Sequence, residues 1–276
     1  MENDEIIVEV QKRKKTKKRT IKAPEKKASG KKSKKTLAIL KSLFIIALAI
    51  GAIVLIMYSG LFNVKDFEVS GNSRLSSNKI ISLSNIQVDT NIFSINKKQA
   101  KQAILENAYV EEVSINRKLP STVSIEIKER IPTYILQFTD SYVYINNQGY
   151  MLEISNDKIE VPIIVGFITD LSNIKAGNRL DVKDLEKMNT ILKIYETAKN
   201  VELAEYITKI DVSDTKEYKV YMESLNKIVY LGDASDLNSK MLELKEILHK
   251  TQNRKGEVFL NVDLNTQKAY FRQSID

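Results

Sequence analysis

Side chains able to do chemistry are few in this sequence, and their types exclude most catalytic classes. There is no cysteine among the 276 residues, so a disulfide framework and a thiolate metal site are both ruled out. The single histidine is His249. Multi-histidine metal centres are therefore excluded, and a Ser-His-Asp triad would rest on that one residue. His249 falls at the polar end of a predicted helix, where a cation suits the helix dipole, and is read as a surface residue. The nearest approach to paired acids is Glu111-Glu112, and Glu126 with Glu129. Glycosidase chemistry needs two carboxylates facing one substrate. Successive strand residues point to opposite faces, and Glu126 and Glu129 differ in parity, so both pairs are expected to diverge. G-x-S-x-G, S-x-x-K with K-T-G, H-E-x-x-H and the P-loop are absent, and Lys31-Lys32 after Gly30 lacks the first P-loop glycine. Most of the twelve tyrosines fall on predicted strands and read as half-buried sheet residues, not as a sugar platform. No catalytic residue, cofactor or metal is expected.

Binding chemistry is better represented, at the C-terminal end. In GEVFLNVDL (Gly256–Leu264), Val258, Leu260, Val262 and Leu264 share one parity and are expected to face a core. Phe259, Asn261 and Asp263 take the other face. Leu264 to Gln267 turns the chain, and in KAYFR (Lys268–Arg272) Ala269 and Phe271 alternate with Tyr270. As the last strand, this one is a natural sheet edge, and an uncovered edge invites strand addition by a partner. Tyr270 and Phe271 are the expected anchors, with Phe259 beside them and Arg272 placed to pair with an acid on the partner. The competing reading makes Phe271 ordinary core and Tyr270 ordinary surface.

The element that positions all of this is an apolar run. From Ser42 to Val64 there is no charged residue, a stretch of 23. Twenty of these residues, Leu43 to Phe62, make about 30 Å of helix, the thickness of a bilayer core. A cleaved signal peptide is a poorer fit, because the A-x-A at Ala47–Ala49 would place the cut inside the run. A buried soluble helix is disfavoured by the basic flank. Residues 1–36 hold fourteen Lys and Arg against five Asp and Glu. Basic residues stay on the cytoplasmic side, so a single-pass type II cell-membrane protein is expected, with its N-terminus in the cytoplasm. That tail has too few apolar residues for a core and is expected to be disordered, attracted to anionic lipid. The remainder is close to neutral, which argues against nucleic acid as a partner.

The chain beyond the anchor reads as α+β. Phe67 and Val69 alternate with acids, and Gly71-Asn72 makes a turn. Ser76 or Ser77 caps a short helix, and Asn96 caps a second with Ala100, Ala103 and Ile104 inward. Two strands follow, with Val113 and Ile115, then Val123, Ile125 and Ile127, on one face each. From Ile131 the pattern gives strands at IPTYILQF, YVYI and YMLEI, with an Asn146–Gly149 hairpin. Asp181 then caps a helix with Val182, Leu185, Met188, Leu192 and Tyr195 on its inner stripe. ITKIDV, YKVYM and KIVYLG are strands, the last two joined at Leu225-Asn226. A helix from about Ser235 to Lys250 carries Leu237, Met241, Leu244 and Leu248 on one stripe.

These pieces resemble a known family. F-x-V-x-x-F-x-V-S-G-N (Phe62–Asn72), NIFSIN (Asn91–Asn96) and YVEEVSINRKLPSTVSIEIKERIP (Tyr109–Pro132) look like the POTRA domain of FtsQ/DivIB, the bitopic bacterial division proteins. Arg117 and Arg130, which belong to that pattern, read from spacing alone as solvated strand residues. Pro162 to Gly166 resembles the family's Pro-Ile-x-x-Gly stretch, and Gly177 to Leu180 the segment before its helix. The resemblance implies a basic cytoplasmic tail at 1–36, a transmembrane helix at 37–61, a POTRA domain at 62–130 and a second, β-rich α+β domain at 131–276. Some relatives extend further at the C-terminus, and no long tail is expected here. It also implies a non-enzymatic scaffold at the division septum. Partners would be bitopic proteins of the FtsL and FtsB/DivIC type and septal wall-synthesis proteins, bound at the edge of the second domain. A membrane-anchored cell-wall enzyme, or a POTRA-bearing assembly or transport factor, is the alternative.

Overall fold

The computed structural model describes residues 32–138, 141–262 and 267–274. The described chain divides into one unit ending at Ile56 and a second beginning at Met57. The first is the helix α1 (Lys32–Met57). Its apolar side chains are exposed on every face, and among the described residues it alone is long and apolar enough to cross a membrane. A helix apolar all round is one that lipid or other protein buries. Lys32 to Thr36, expected to be disordered, are its first turn; residues 1–31 of the expected basic tail lie outside the described residues. α1 stops at Met57 even though the apolar run continues. Beyond it, Gly60–Phe62 form a 3-10 turn, and Phe62 O accepts from Ile92 N–H at 2.8 Å. Tertiary pairing with the 89–92 segment competes with further helix and wins.

The second unit opens with β1 (Asp66–Ser70), α2 (Ser77–Ser84), α3 (Lys97–Leu105), β2 (Val110–Lys118) and β3 (Thr122–Glu129). The Ser76 hydroxyl caps α2 by accepting from Lys79 N–H at 3.3 Å, and the Asn96 side chain caps α3 from Gln99 N–H at 3.1 Å. β3 is central, parallel to β1 and antiparallel to β2. Ile80, Ile92, Ile104, Val123 and Ile125 close the core between this sheet and the two helices. Gly71 lets the chain leave β1: its φ is +80°, and a Cβ there would sit 1.9 Å from Ile127 O.

Three local expectations are corrected here. A register shift between Val110 and Glu112 lets Glu111 and Glu112 both reach Lys128 Nζ, at 3.3 and 3.5 Å; the bulge overrides simple alternation. Arg117 is not a solvated strand residue. Its Nε donates to Ile92 O at 2.6 Å and its Nη2 to Ile95 O at 2.9 Å, clamping the NIFSI loop. Arg130 likewise donates Nη1 to Ala108 O and Val110 O, at 2.8 and 2.7 Å.

The rest of this unit comprises β4 (Tyr134–Gln137), β5 (Tyr142–Ile145), β6 (Met151–Ser155), β7 (Ile163–Val165), α4 (Val182–Asn200), β8 (Lys209–Asp211), β9 (Tyr218–Met222), β10 (Lys227–Gly232), α5 (Leu237–Lys250), β11 (Gly256–Phe259) and β12 (Tyr270–Gln273). They form one nine-stranded sheet in the order β12-β11-β10-β9-β8-β7-β4-β5-β6. α4 and α5 are crossovers between parallel neighbours, β7 to β8 and β10 to β11. Both contribute to a single core with the inner faces of the strands. The inner stripe of α4 is rotated from the expected one: Met188, Ile191, Ile194 and Ala198 are buried, Leu185, Leu192 and Tyr195 flank them, and Val182 is exposed. Asp184 sets that rotation. It is fully buried and accepts from Ile168 N–H and Thr169 N–H at 2.9 and 2.7 Å, so the first turn of α4 turns a polar side inward. On the opposite sheet face, Ile135, Tyr144 and Ile163 are covered by Ile159 and Val161. The outer face of β8 to β12 carries half-buried and exposed side chains instead.

Gly71→Ala is expected to destabilise the chain by roughly 1–3 kcal/mol or more, because it adds positive-φ strain to a backbone clash. A lowered urea midpoint for this variant is the check, and an unchanged midpoint contradicts the account of the turn.

Candidate functional site

The open sheet edge is β12, and three aromatic rings lead to it. Tyr230 on β10, Phe259 on β11 and Tyr270 on β12 are in register across the sheet. Their rings stack at 4.7 Å and 4.8 Å, with planes 6° and 14° apart. Those separations match the spacing of neighbouring strands, so the stack repeats with the sheet itself. Phe259 is stacked on both faces, and Tyr230 has Phe259 on one side with Lys219 Nζ 5.3 Å from its ring centroid. Tyr270 is stacked on one side only and is 50% exposed. In the next row Glu257 on β11 faces Arg272 on β12. Glu257 accepts from Arg272 Nε and from the Tyr230 hydroxyl, both at 2.9 Å. These bonds, Arg272 first, hold its carboxyl below the ordinary range. The Arg272 guanidinium also lies 4.8 Å from the Phe259 ring centroid.

Of the four residues singled out from sequence, the structure brings Phe259, Tyr270 and Arg272 together on the outer face. Phe271 is on the other side of β12, packed against the core. Its seat involves two residues that sequence reasoning passed over. Gly256 lies directly under the ring: a Cβ there would be 2.6 Å from Phe271 Cε2 and 2.3 Å from Arg272 O. Lys227 Nζ is 5.3 Å from the same ring and donates to Leu225 O at 3.1 Å, to Thr251 O at 3.3 Å and to Arg254 O. Burial pushes the Lys227 ammonium below its usual range, while the carbonyls at the end of α5 favour its charge. Its parity with Val229 and Leu231 marked it as inward-facing. Tyr230 and Glu257 were also missed; strand parity carries their face, but only register joins them to Tyr270 and Arg272.

Backbone direction completes the edge. Ser274 N–H donates to Lys255 O at 3.0 Å, so by alternation the N–H groups of Arg272 and Tyr270 also turn toward β11. Those of Phe271 and Gln273 turn outward, where no described strand pairs with them. The opposite edge, β6, is paired at its start. Met151 N–H donates to Asn178 O at 2.9 Å, Gly177 N–H to Met151 O at 2.8 Å and Leu180 N–H to Gly149 O at 3.0 Å. Glu153 on β6 accepts from the Tyr109 hydroxyl and from Arg74 Nη2, both at 2.6 Å. The Tyr150 ring has Arg130 at 4.2 Å and Arg179 at 5.3 Å. His249 is exposed in the last turn of α5, on the rim of a cleft of about 950 Å³ between the ends of α4 and α5.

Residues 62–130 match the FtsQ-type POTRA domain, and residues 133–267 match the model described as FtsQ/DivIB, C-terminal related. The cell division protein DivIB of Clostridium acetobutylicum is 31% identical over 201 residues, which cover 71% of this chain and 78% of that protein. The chain belongs to the FtsQ/DivIB family. DivIB of Clostridium tetani is 30% identical over 76% of this chain and 79% of its own length. The cell division protein FtsQ of Syntrophotalea carbinolica is 25% identical over 80% of this chain and 77% of its own. The role of this FtsQ/DivIB protein accordingly lies in cell division. The first β-α-α-β-β domain is its POTRA domain and the nine-stranded sheet belongs to its C-terminal domain. β12 begins beyond the last residue of the C-terminal match.

The depressed Glu257 pKa makes the edge sensitive to acid. Its contribution is fully present above the unfolded carboxylate value, near 4.5, and is lost as pH falls through the lower folded value. Hydrogen-exchange protection of β12, relative to that of β9, is expected to fall over that range. Glu257→Gln should lower β12 protection already at neutral pH and remove the acid dependence.

Proposed function

We propose that this FtsQ/DivIB protein is a non-enzymatic, membrane-anchored scaffold of the division complex, and that a partner joins it by adding a strand to β12. The observation that supports this most is the inequality of the two sheet edges. β6 is paired at Met151 and flanked at Glu153 by the Tyr109 and Arg74 side chains, whereas the outward Phe271 and Gln273 backbone groups of β12 have no described partner. An added strand would meet the free face of Tyr270 at the spacing of the existing stack, so an aromatic or other planar side chain opposite Tyr270 would extend it. Phe271 serves this reading by fastening β12 to the core, leaving Tyr270 as the exposed anchor. Arg272 is already engaged by Glu257, so an acid on the partner would share it.

The partners the family resemblance implies are bitopic division proteins of the FtsL and FtsB/DivIC type, together with septal wall-synthesis proteins. The absence of cysteine and the single histidine accord with a binding role. α1 would anchor the protein in the cell membrane as a type II single-pass protein, with the basic N-terminus in the cytoplasm and the sheet domains outside, at the septum.

Tyr270→Ala should weaken capture of the bitopic partner at least about tenfold, as expected for a truncated aromatic hot spot, with the melting transition kept. Gln273→Pro removes one outward N–H and no bond to β11, so it should block capture without loosening the sheet. Full capture by both variants would rule out β12 as the edge used. For topology, protease added to wall-stripped cells should remove the sheet domains and spare the N-terminal tail; protection of the sheet domains contradicts the type II arrangement.

A further inference from the structure

We propose that the end of the POTRA domain where the chain enters it makes a second contact with the membrane, with Leu61, Val88, Phe93 and Leu119 dipping into the interfacial layer of the bilayer. This rests on the reading of α1 as a membrane-spanning helix. Segments distant in sequence meet at this end. Val64 N–H donates to Thr90 O at 2.9 Å, and Asp89 N–H donates back to Val64 O at 2.8 Å. Lys65 N–H donates to Ser121 O at 2.8 Å, which brings the β2–β3 turn alongside. The Arg117 clamp on Ile92 and Ile95 holds the loop that carries Phe93.

Each of these segments presents an apolar side chain outward: Leu61 is 55% exposed, Val88 58%, Phe93 37% and Leu119 60%. A single exposed aliphatic residue means little, but a group of them on fixed loops marks a contact surface. Between Leu61 and Arg130 the only other exposed large apolar side chain among the described residues is Leu105, at the far end of α3. The Phe62 and Phe93 rings meet at 5.2 Å and stiffen the patch.

Chain continuity identifies the occupant as lipid. Leu61 is four residues beyond Met57, the last residue of α1, and four residues span at most about 14 Å. Asn91 Nδ2 also donates to Met57 O at 2.7 Å, tying the Phe93 loop to that point. The interfacial layer is several ångströms deep, and apolar groups bury about 5–10 Å into it. Tyr58, 78% exposed, lies in the linker, where an aromatic with a polar tip suits the interface. Lys65, Lys97 and Lys98 are exposed beside the patch, and their stems can lie along the apolar layer while the ammonium groups reach phosphate. Asp66, Asp89 and Glu68 are the acids at this end, and Glu68 is paired with Lys118.

The chain has no tryptophan, so a single introduced one reports without background. The full chain would be reconstituted in phosphatidylcholine and phosphatidylglycerol vesicles containing lipids brominated at different depths. Leu119→Trp and Val88→Trp are expected to lose most of their emission to lipids brominated near the chain carbonyls. Phe44→Trp, near the start of the apolar run in α1, should be quenched as well, and Leu242→Trp, exposed on α5, should be unaffected. If Leu119→Trp and Val88→Trp are quenched no more than Leu242→Trp while Phe44→Trp is quenched, the second contact is wrong and the anchor stands. A blue shift at Leu119→Trp without quenching marks a protein contact, such as a second copy, and also overturns it. An unquenched Phe44→Trp overturns both readings.

Discussion

Every strand in a sheet needs its backbone donors and acceptors satisfied on both sides, and a sheet that does not close has two places where this fails. In this protein the two places are treated differently. β6 is paired at Met151 and flanked at Glu153 by polar bonds from the POTRA domain, from Tyr109 and Arg74. β12 keeps its outer side free among the described residues. The asymmetry follows from chain order. β4 to β6 directly follow the POTRA domain in the chain, while β12 is the last described strand, with no later described strand to pair with it. The same sheet is therefore joined to the POTRA domain on one edge and left open on the other.

An open edge needs protection from fraying as much as it needs access. Here the outer face of β12 is held by Tyr270 on Phe259 and by Arg272 on Glu257, and the inner face by Phe271 over Gly256. The outer bonds are exposed, and exposed ion pairs contribute little by themselves. The inner contact is the firmer one, because it removes an aromatic ring from water. Lys227 contributes from beneath, its charge held by carbonyls at the end of α5. β12 is thus seated by the core while its outward backbone groups have no described partner.

At the N-terminal end of the described chain the constraint is an uncovered apolar helix. α1 is apolar on all sides, and the POTRA domain begins only a few residues beyond it. Pairing of Phe62 and Val64 with the 89–92 segment ends the helical tendency and starts the folded domain. Arg117, which on spacing alone looked like a solvent-facing strand residue, ties that loop in place through three carbonyls. Its role is invisible in alternation, because the long side chain reaches back over the strand end.

The sequence by itself determined what is local. The uncharged run specified a helix long and apolar enough to cross a membrane. Period-two alternation specified the strands, and Ser76, Asn96, Gly71 and Gly149 specified caps and turns through their own backbone chemistry. What tertiary structure alone decided depends on contacts between distant residues. The bulge that turns Glu111 and Glu112 toward one lysine is a property of strand pairing. The rotation of α4 follows from a buried Asp184 bonding a loop fifteen residues away. The division of the C-terminal aromatics, Phe271 inward and Tyr270 outward, was legible as parity. That Tyr270 ends a stack begun at Tyr230, forty residues earlier, was not, because register across a sheet is set by how strands pair and not by any one of them.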